Sequence, residues 1–242
     1  FSYGMGYKIP TLKEKYWIFK HSYAPGAGNF ILYGNPNLVP EKSHSFNIGV
    51  EQNVKNLFKF SVGGYFNYIL DLIDSVVTDG VSSPQIREYR NVDKAITYGG
   101  DISISSEMDR LTVKTGYAYT GAKFFDKDNG RWEDLALRVA HRVTAHVAYR
   151  IPVIETTAAL NVQWNSPQLL TAKSGYYTPD YFMVGFDVSK KFLDEKLEVY
   201  AGLDNMLNNV HFIKGSNNET QEYYYGLAEG IGLRVGGKYK FN

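Results

Sequence analysis

The sequence contains no cysteine, which excludes a disulfide framework, a thiolate metal centre and a cysteine nucleophile. It also lacks any run approaching 18 apolar residues, so no transmembrane helix can be drawn through it. That second absence does not exclude a membrane. Transmembrane strands need only about 9–11 residues each, and their lipid-facing positions alternate with polar ones. An excess of one charge is missing too. With 26 basic residues against 25 acidic ones there is no footprint for a polyanion, and no nucleic acid is expected as a partner. Histidine is scarce, at five, and no two form a His-x-x-x-His zinc pair on a helix. Aromatic residues and glycine are plentiful: 20 Tyr, 14 Phe and 23 Gly in 242 residues, enough chain for one domain or two small ones.

The last residues carry the clearest pattern. Ile231, Leu233, Val235, Tyr239 and Phe241 alternate with Gly232, Arg234, Gly236, Lys238 and Lys240, the period of a strand with one apolar and one polar face. An ordinary amphipathic edge strand would show the same alternation. Arg234, Gly236, Tyr239 and Phe241 also spell polar–x–Gly–x–x–aromatic–x–aromatic, which resembles the signal that hands bacterial outer-membrane barrels to their assembly machinery.

Period-2 alternation predicts ten strands, at roughly 2–9, 43–53, 58–71, 92–106, 111–123, 138–150, 156–169, 180–191, 196–205 and 227–241. Phe58, Phe60, Val62, Phe66 and Tyr68 share one face, and Val139, Val143, Ala145, Val147 and Tyr149 another. Soluble sandwiches alternate as well, so the choice falls to the connections. Short turns near 54–57, 107–110, 151–155 and 192–195 alternate with long polar connections near 10–42, 72–91, 124–137, 170–179 and 206–226. Short turns at one end and long loops at the other are the habit of transmembrane barrels. The reading is all-β: an antiparallel transmembrane β-barrel wall with a polar, water-filled or plugged interior. Tyr65, Tyr68, Tyr98, Tyr117, Tyr119, Tyr149, Tyr239 and Phe241 are expected near strand ends as interfacial girdles. His44 and His146 are expected on the polar face, and His141 on the lipid-facing one.

Two boxes frame the first long connection. Gly6-Tyr7-Lys8-Ile9-Pro10-Thr11-Leu12-Lys13-Glu14 closes one strand, because Pro10 has no N–H for the ladder. Gly34-Asn35-Pro36-Asn37-Leu38-Val39-Pro40-Glu41 opens the next, stiffened by its prolines. With Tyr89-Arg90-Asn91, Tyr98-Gly99-Gly100-Asp101, Asp204-Asn205-Met206-Leu207-Asn208 and the terminal Tyr-Lys-Phe, the whole chain resembles the C-terminal barrel half of TonB-dependent outer-membrane receptors. The first box departs from the family's Gly-Phe-Arg-Ala-Pro-Thr-Leu form, and Gly-Gly-Asp stands in place of its Gly-x-Glu.

The resemblance implies active import of a bulky, scarce nutrient: haem, a ferric siderophore or cobalamin. It implies about ten C-terminal strands of a barrel of about 22. The N-terminal plug, the TonB-contacting segment and the earlier strands are expected on a missing N-terminal piece that pairs with residues 1–242. The C-terminus would be periplasmic and the long loops extracellular, amid outer-membrane lipid and lipopolysaccharide. No intrinsic cofactor is expected. The small-molecule ligand would meet His21, Tyr23, Tyr33, Asn35, Trp132 and His211. Haem receptors of this family carry a ligating His between the two boxes, where His21 lies, and imidazole suits haem iron. A solvated loop histidine and lipid-level aromatics fit the same positions. A passive porin or adhesin is the rival reading. A rim protease using Asp180 and His211 is the enzymatic one, and the receptor motifs argue against it.

Overall fold

The computed structural model describes residues 1–21, 29–55, 57–79, 84–126, 129–135, 138–169, 177–214, 223–226 and 228–241, with the side chains at 79, 93, 211–214 and 223–226 left aside. In chain order its elements are β1 (Ser2–Lys8), the helix α1 (Leu12–Tyr16), β2 (Ile18–His21), β3 (Phe30–Tyr33), β4 (Glu41–Val54), β5 (Phe58–Asp79), β6 (Gln85–Glu107) and β7 (Leu111–Asp126). There follow β8 (Arg131–Asp134), β9 (His141–Ile151), β10 (Thr156–Asn165), β11 (Tyr181–Phe192), β12 (Leu197–Asp204), β13 (His211–Lys214), β14 (Tyr223–Gly226) and β15 (Gly232–Tyr239).

All ten period-2 segments form strands, and they line up in sequence order as β1-β4-β5-β6-β7-β9-β10-β11-β12-β15, with β1 and β15 at the two ends. Pairing is antiparallel, from Ser2↔Asn47 in the first hairpin to Asp204↔Gly232 in the last. The five short strands belong to the connections. β2 pairs with β3, β3 lies parallel to β6, β8 pairs with β7, and β13 pairs with β14.

Contacts divide the chain into two units. One comprises Phe1–Ile48, Tyr65–Tyr98 and Gly121–Leu135, the other Gly49–Gly64, Gly99–Thr120 and Ala136–Asn242. The first has a small apolar core of Leu32, Leu38, Ile73, Ala95 and Ala122. In the second, Ala159 alone is buried among the described apolar residues. Its strands show their apolar face outright: Val143, Val147, Leu160, Phe186, Leu203, Leu233 and Val235 are 36–73% exposed. Leaving such side chains in water forgoes about 1.5–3 kcal/mol each, and soluble monomers rarely show a continuous apolar patch of that extent. The surface is built for a non-aqueous neighbour.

Several expectations need correction. The connection expected at 72–91 is mostly strand, since β5 runs to Asp79 and β6 starts at Gln85. The sequence hides this because Asp71 takes a left-handed conformation (φ 58°) inside β5, a break in the pleat that ends the period-2 count. His44 is two residues from Phe46 in the unbroken β1–β4 register, hence on the apolar face, where its Nδ1 and the Tyr3 hydroxyl are hydrogen-bonded at 2.8 Å. Tyr65, Tyr68 and Tyr98 stand well inside β5 and β6. Tyr65 shares the parity of Asn67, opposite Phe66. The last strand starts at Gly232, and β10 stops at Asn165, because the residues beyond leave the ladder for the connections.

Candidate functional site

The two boxes meet around one lysine. Pro10 is buried at the end of β1, and Thr11 caps α1 by accepting the Glu14 N–H on its hydroxyl (3.2 Å). Glu14 answers as the acid of a capping box, its Oε2 accepting the Thr11 N–H at 2.7 Å and the Thr11 hydroxyl at 2.8 Å. Lys8 Nζ lies 3.4 Å from Glu14 Oε1 and 2.8 Å from Glu41 Oε1, the acid of the second box. Glu41 Oε1 also accepts the Ile73 N–H of β5 at 2.9 Å. Both carboxylates are largely covered. Burial pushes the Glu14 carboxyl up, but the Thr11 N–H, the Thr11 hydroxyl and the Lys8 ammonium more than offset it and hold Glu14 below its usual value.

The re-entry into β4 is pinned twice more. The Gly34 N–H donates to Trp17 O at 2.7 Å and the Asn35 N–H to Glu14 O at 2.8 Å, which satisfies carbonyls at the end of α1. Gly34 lies so close that an added Cβ would stand 2.6 Å from Tyr16 N and 2.7 Å from the Lys15 carbonyl carbon. Asn35 Oδ1 accepts the Asn37 N–H at 2.9 Å in an Asx turn. Asn91 of β6 then grips Val39 at both ends: its Oδ1 accepts the Val39 N–H at 3.0 Å and its Nδ2 donates to Val39 O at 2.9 Å. The same Nδ2 donates to Asp71 O at 2.6 Å, satisfying the carbonyl of the left-handed residue. The motif Tyr89-Arg90-Asn91 is thus a clamp on the motif Asn35–Glu41.

Of the residues expected to meet a ligand, His21 ends β2 opposite Phe30, with its ring 4.8 Å from that of Phe30 and 5.7 Å from Phe19. The Arg87 guanidinium sits 4.7 Å over the Phe30 ring. Tyr33 pairs with Ile18, three residues along from Phe30 and so on the opposite face of the hairpin from His21. Asn35 spends its side chain on its own turn. Trp132 of β8 packs edge-on against Phe125 at 5.6 Å. Tyr23 lies outside the described residues, as does the side chain of His211. Asp180 accepts the Trp164 Nε1–H at 2.8 Å. Among the described residues no group of three His, Cys, Asp or Glu stands close enough to hold a metal ion.

The second unit carries a polar ladder on the face opposite its exposed valines. His146 Nδ1 and Asn161 Oδ1 are hydrogen-bonded at 2.7 Å, and Asn161 Nδ2 donates to Asp187 at 2.8 Å. Arg234 of the terminal strand donates to Asp204 at 2.6 and 3.0 Å and to Asp187 at 3.0 Å. It reaches β11 across Gly202, the residue between them in register. Gly236 leaves room for the Tyr200 side chain of β12, whose ring occupies the space a Cβ would need. Tyr239 and Phe241 pack edge-to-face at 4.8 Å. His141, on the apolar face, has its Nδ1 hydrogen-bonded with the Tyr117 hydroxyl at 2.7 Å and its ring 5.1 Å from that of Tyr119.

The family model described as "TonB dependent receptor-like, beta-barrel" matches residues 1–206. The chain belongs to the TonB-dependent receptor family. Among its relatives is the vitamin B12 transporter BtuB of Photobacterium profundum, 24% identical over 93% of this chain and 34% of that protein. The fold is shared with the siderophore receptor PirA of Acinetobacter baumannii (TM-score 0.69, 18% identity, 99% of this chain and 38% of that one). It is shared too with the ferric enterobactin receptor PfeA of Pseudomonas aeruginosa (0.67, 17%, 96% and 37%). The chain spans about a third of the length of these three proteins. It is an outer-membrane barrel wall of that family.

The family motifs do mainly architectural work here. Asn205, in the motif that resembles Asn-Leu-Phe-Asn, is buried in a left-handed conformation (φ 47°). It accepts the Asn209 N–H at 3.1 Å and donates to Glu229 O at 2.7 Å, tying the end of β12 to the approach of β15. Sequence reasoning quoted Asn91 and Asn205 without their roles. Asn91 stands among Glu88, Arg90, Asp93 and Lys94, and Asn205 follows Asp204, so no polarity pattern singles either out.

Proposed function

We propose that this chain forms the C-terminal wall of an outer-membrane receptor that imports a bulky, scarce nutrient, an iron complex or a corrinoid, with energy relayed through TonB. The observation that carries the reading is the barrel family's run through residues 1–206, together with the relationship to a vitamin B12 transporter. The exposed apolar face would meet lipid and the ladder from His146 to Arg234 would line the aqueous interior. The C-terminus would then be periplasmic, placing α1, β2, β3 and β8 at the extracellular mouth. A plug and the remaining strands, supplied by the rest of the protein, would complete the barrel, since unpaired strand edges are untenable in lipid. The chain has no catalytic role in this scheme.

Uptake by cells carrying the intact receptor tests it. Labelled cyanocobalamin, a ferric catecholate and haemin are offered in turn, with and without a protonophore. One of the three should accumulate well above a receptor-less strain, and only in energised cells. For haemin, His21→Ala should abolish the Soret shift of the purified receptor as well as uptake. Accumulation that ignores the protonophore, or of none of the three, would overturn the proposal.

A further inference from the structure

β2 and β3 stand apart from the ten-strand order as an annex on β6. β3 lies parallel to the start of β6, and β2 pairs only with β3. β2 is therefore a sheet edge, and it is neither of the two edges that barrel closure would use, β1 and β15. Which backbone groups it leaves open follows from the register. The Gly34 N–H donates to Trp17 O at 2.7 Å, and in an antiparallel pair hydrogen-bonded rungs alternate with non-bonded ones. Trp17, Phe19 and His21 thus turn their N–H and C=O toward β3, while Ile18 and Lys20 turn theirs away from it. The other side of β3 agrees. The Gln85 N–H donates to Asn29 O at 2.8 Å, which sets Asn29, Ile31 and Tyr33 against β6 and leaves Phe30 and Leu32 for β2. Among the described residues nothing pairs with the outward groups of Ile18 and Lys20.

Proteins ordinarily guard such an edge with charge, proline or a bulge. β8, a second short edge strand in the same unit, is guarded by charge: Arg131 lies 3.0 Å from Glu133, and Asp134 lies 3.2 Å from Lys123. β2 instead presents Ile18 and Phe19, 53% and 39% exposed, directly after the exposed Trp17. No proline and no left-handed residue interrupts residues 17–21. The lysines around this edge differ in what they hold. Lys8 is taken by Glu14 and Glu41, and Lys13 lies over the Trp17 ring at 5.5 Å. Lys20 of β2 and Lys15 of α1 have no acidic partner among the described residues. Glu88, beside Tyr33 in register, is bonded to Arg90 at 2.9 Å. Ile18 and Lys20 share one face of the strand and Phe19 takes the other.

We infer that β2 is a docking edge for an extended peptide of a partner protein, which adds antiparallel as the next strand of β2-β3-β6. Main-chain hydrogen bonds to Ile18 and Lys20 supply the affinity, and cross-strand side-chain pairs select the sequence. An acidic residue opposite Lys20 meets the unpaired ammonium. Apolar residues opposite Phe19 and Ile18 cover the exposed side chains on the two faces. Read from its N-terminus, the peptide therefore carries an acidic residue followed by two apolar, β-branched ones. The inference goes beyond import and does not depend on which solute the barrel carries.

Fluorescence anisotropy of a fluorescein-labelled peptide, Ser-Thr-Val-Glu-Val-Val-Thr-Ser, titrated with the purified intact receptor is the test. Saturable binding is expected. Ile18→Pro should weaken it about tenfold or more, because it removes an outward N–H and sets a ring where the peptide carbonyl would lie. The β2–β3 rungs do not use that N–H, and Trp17, at φ −86° and ψ 145°, already holds the conformation that precedes proline. Lys20→Gln should weaken binding less, and a peptide with lysine in place of its glutamate should bind the parent receptor more weakly. N-methylation of alternate peptide residues leaves the receptor untouched: one parity should abolish binding and the other preserve it. Absence of saturable binding, as when a strand from elsewhere in the protein already covers β2, would overturn the docking edge. So would the same affinity for both N-methylated peptides, or for the parent receptor and Ile18→Pro.

Discussion

Gly34→Ala is expected to unseat α1 and loosen the whole first long connection. The added methyl would stand 2.6 Å from Tyr16 N and 2.8 Å from Lys15 O. Both atoms are backbone, so no side chain can swing away to make room. Either α1 or the Gly34–Asn35 segment must retreat, and the hydrogen bonds from the Gly34 N–H to Trp17 O and from the Asn35 N–H to Glu14 O lengthen together. Overpacking of this kind costs about 1–3 kcal/mol. The loss should appear as a lower denaturant midpoint of the lipid-reconstituted receptor and as faster tryptic cleavage at Lys13 and Lys15. A variant as stable and as protease-resistant as the parent would show that α1 does not rest on Gly34.

Asn91→Ala should be comparably damaging, for a different reason. Three hydrogen bonds end on this half-buried side chain, and its removal leaves the Val39 N–H, Val39 O and Asp71 O without it. Each polar group left unsatisfied in a covered site costs about 1–3 kcal/mol. Asn91→Asp is the sharper probe. It keeps the acceptor for the Val39 N–H but turns a carboxylate oxygen toward two carbonyls, so it should be worse than alanine despite its closer shape. Asn47→Ala, which removes only an exposed 3.3 Å contact to Ser2, should cost little. Should Asn91→Asp prove milder than Asn91→Ala, the clamp as described would be wrong.

Both sites show what a sequence can and cannot carry. Strand identity was legible because lipid-facing and polar positions obey a period of two, and in β9 the parity of Val143, Ala145 and Val147 survives unbroken into the register. The pattern failed at Asp71, where one left-handed residue resets the count and the ends of β5 and β6, over 72–79 and 85–91, read as loop. His44 was misplaced because a histidine looks polar in isolation. Its face follows from Phe46, two residues on. The candidate ligand residues were chosen by type and position, and position along the chain says nothing of which side of a short hairpin a residue occupies. His21 and Tyr33 accordingly end on opposite faces. Asn91 and Val39 lie far apart in sequence, and only the sheet order brings the two motifs together.

The absence of cysteine makes the central claim directly testable, since every introduced thiol is the only one these residues contribute. That claim is that one face of the sheet meets lipid and the other meets water. Single cysteines placed in turn at residues 143 to 149 of β9, in the intact receptor in outer membranes, would be exposed to a charged, lipid-impermeant maleimide. The account predicts labelling at 144, 146 and 148 and protection at 143, 145, 147 and 149, the alternation required of a barrel wall. Uniform labelling along the strand, or labelling of the valine positions in preference to Thr144 and His146, would contradict it.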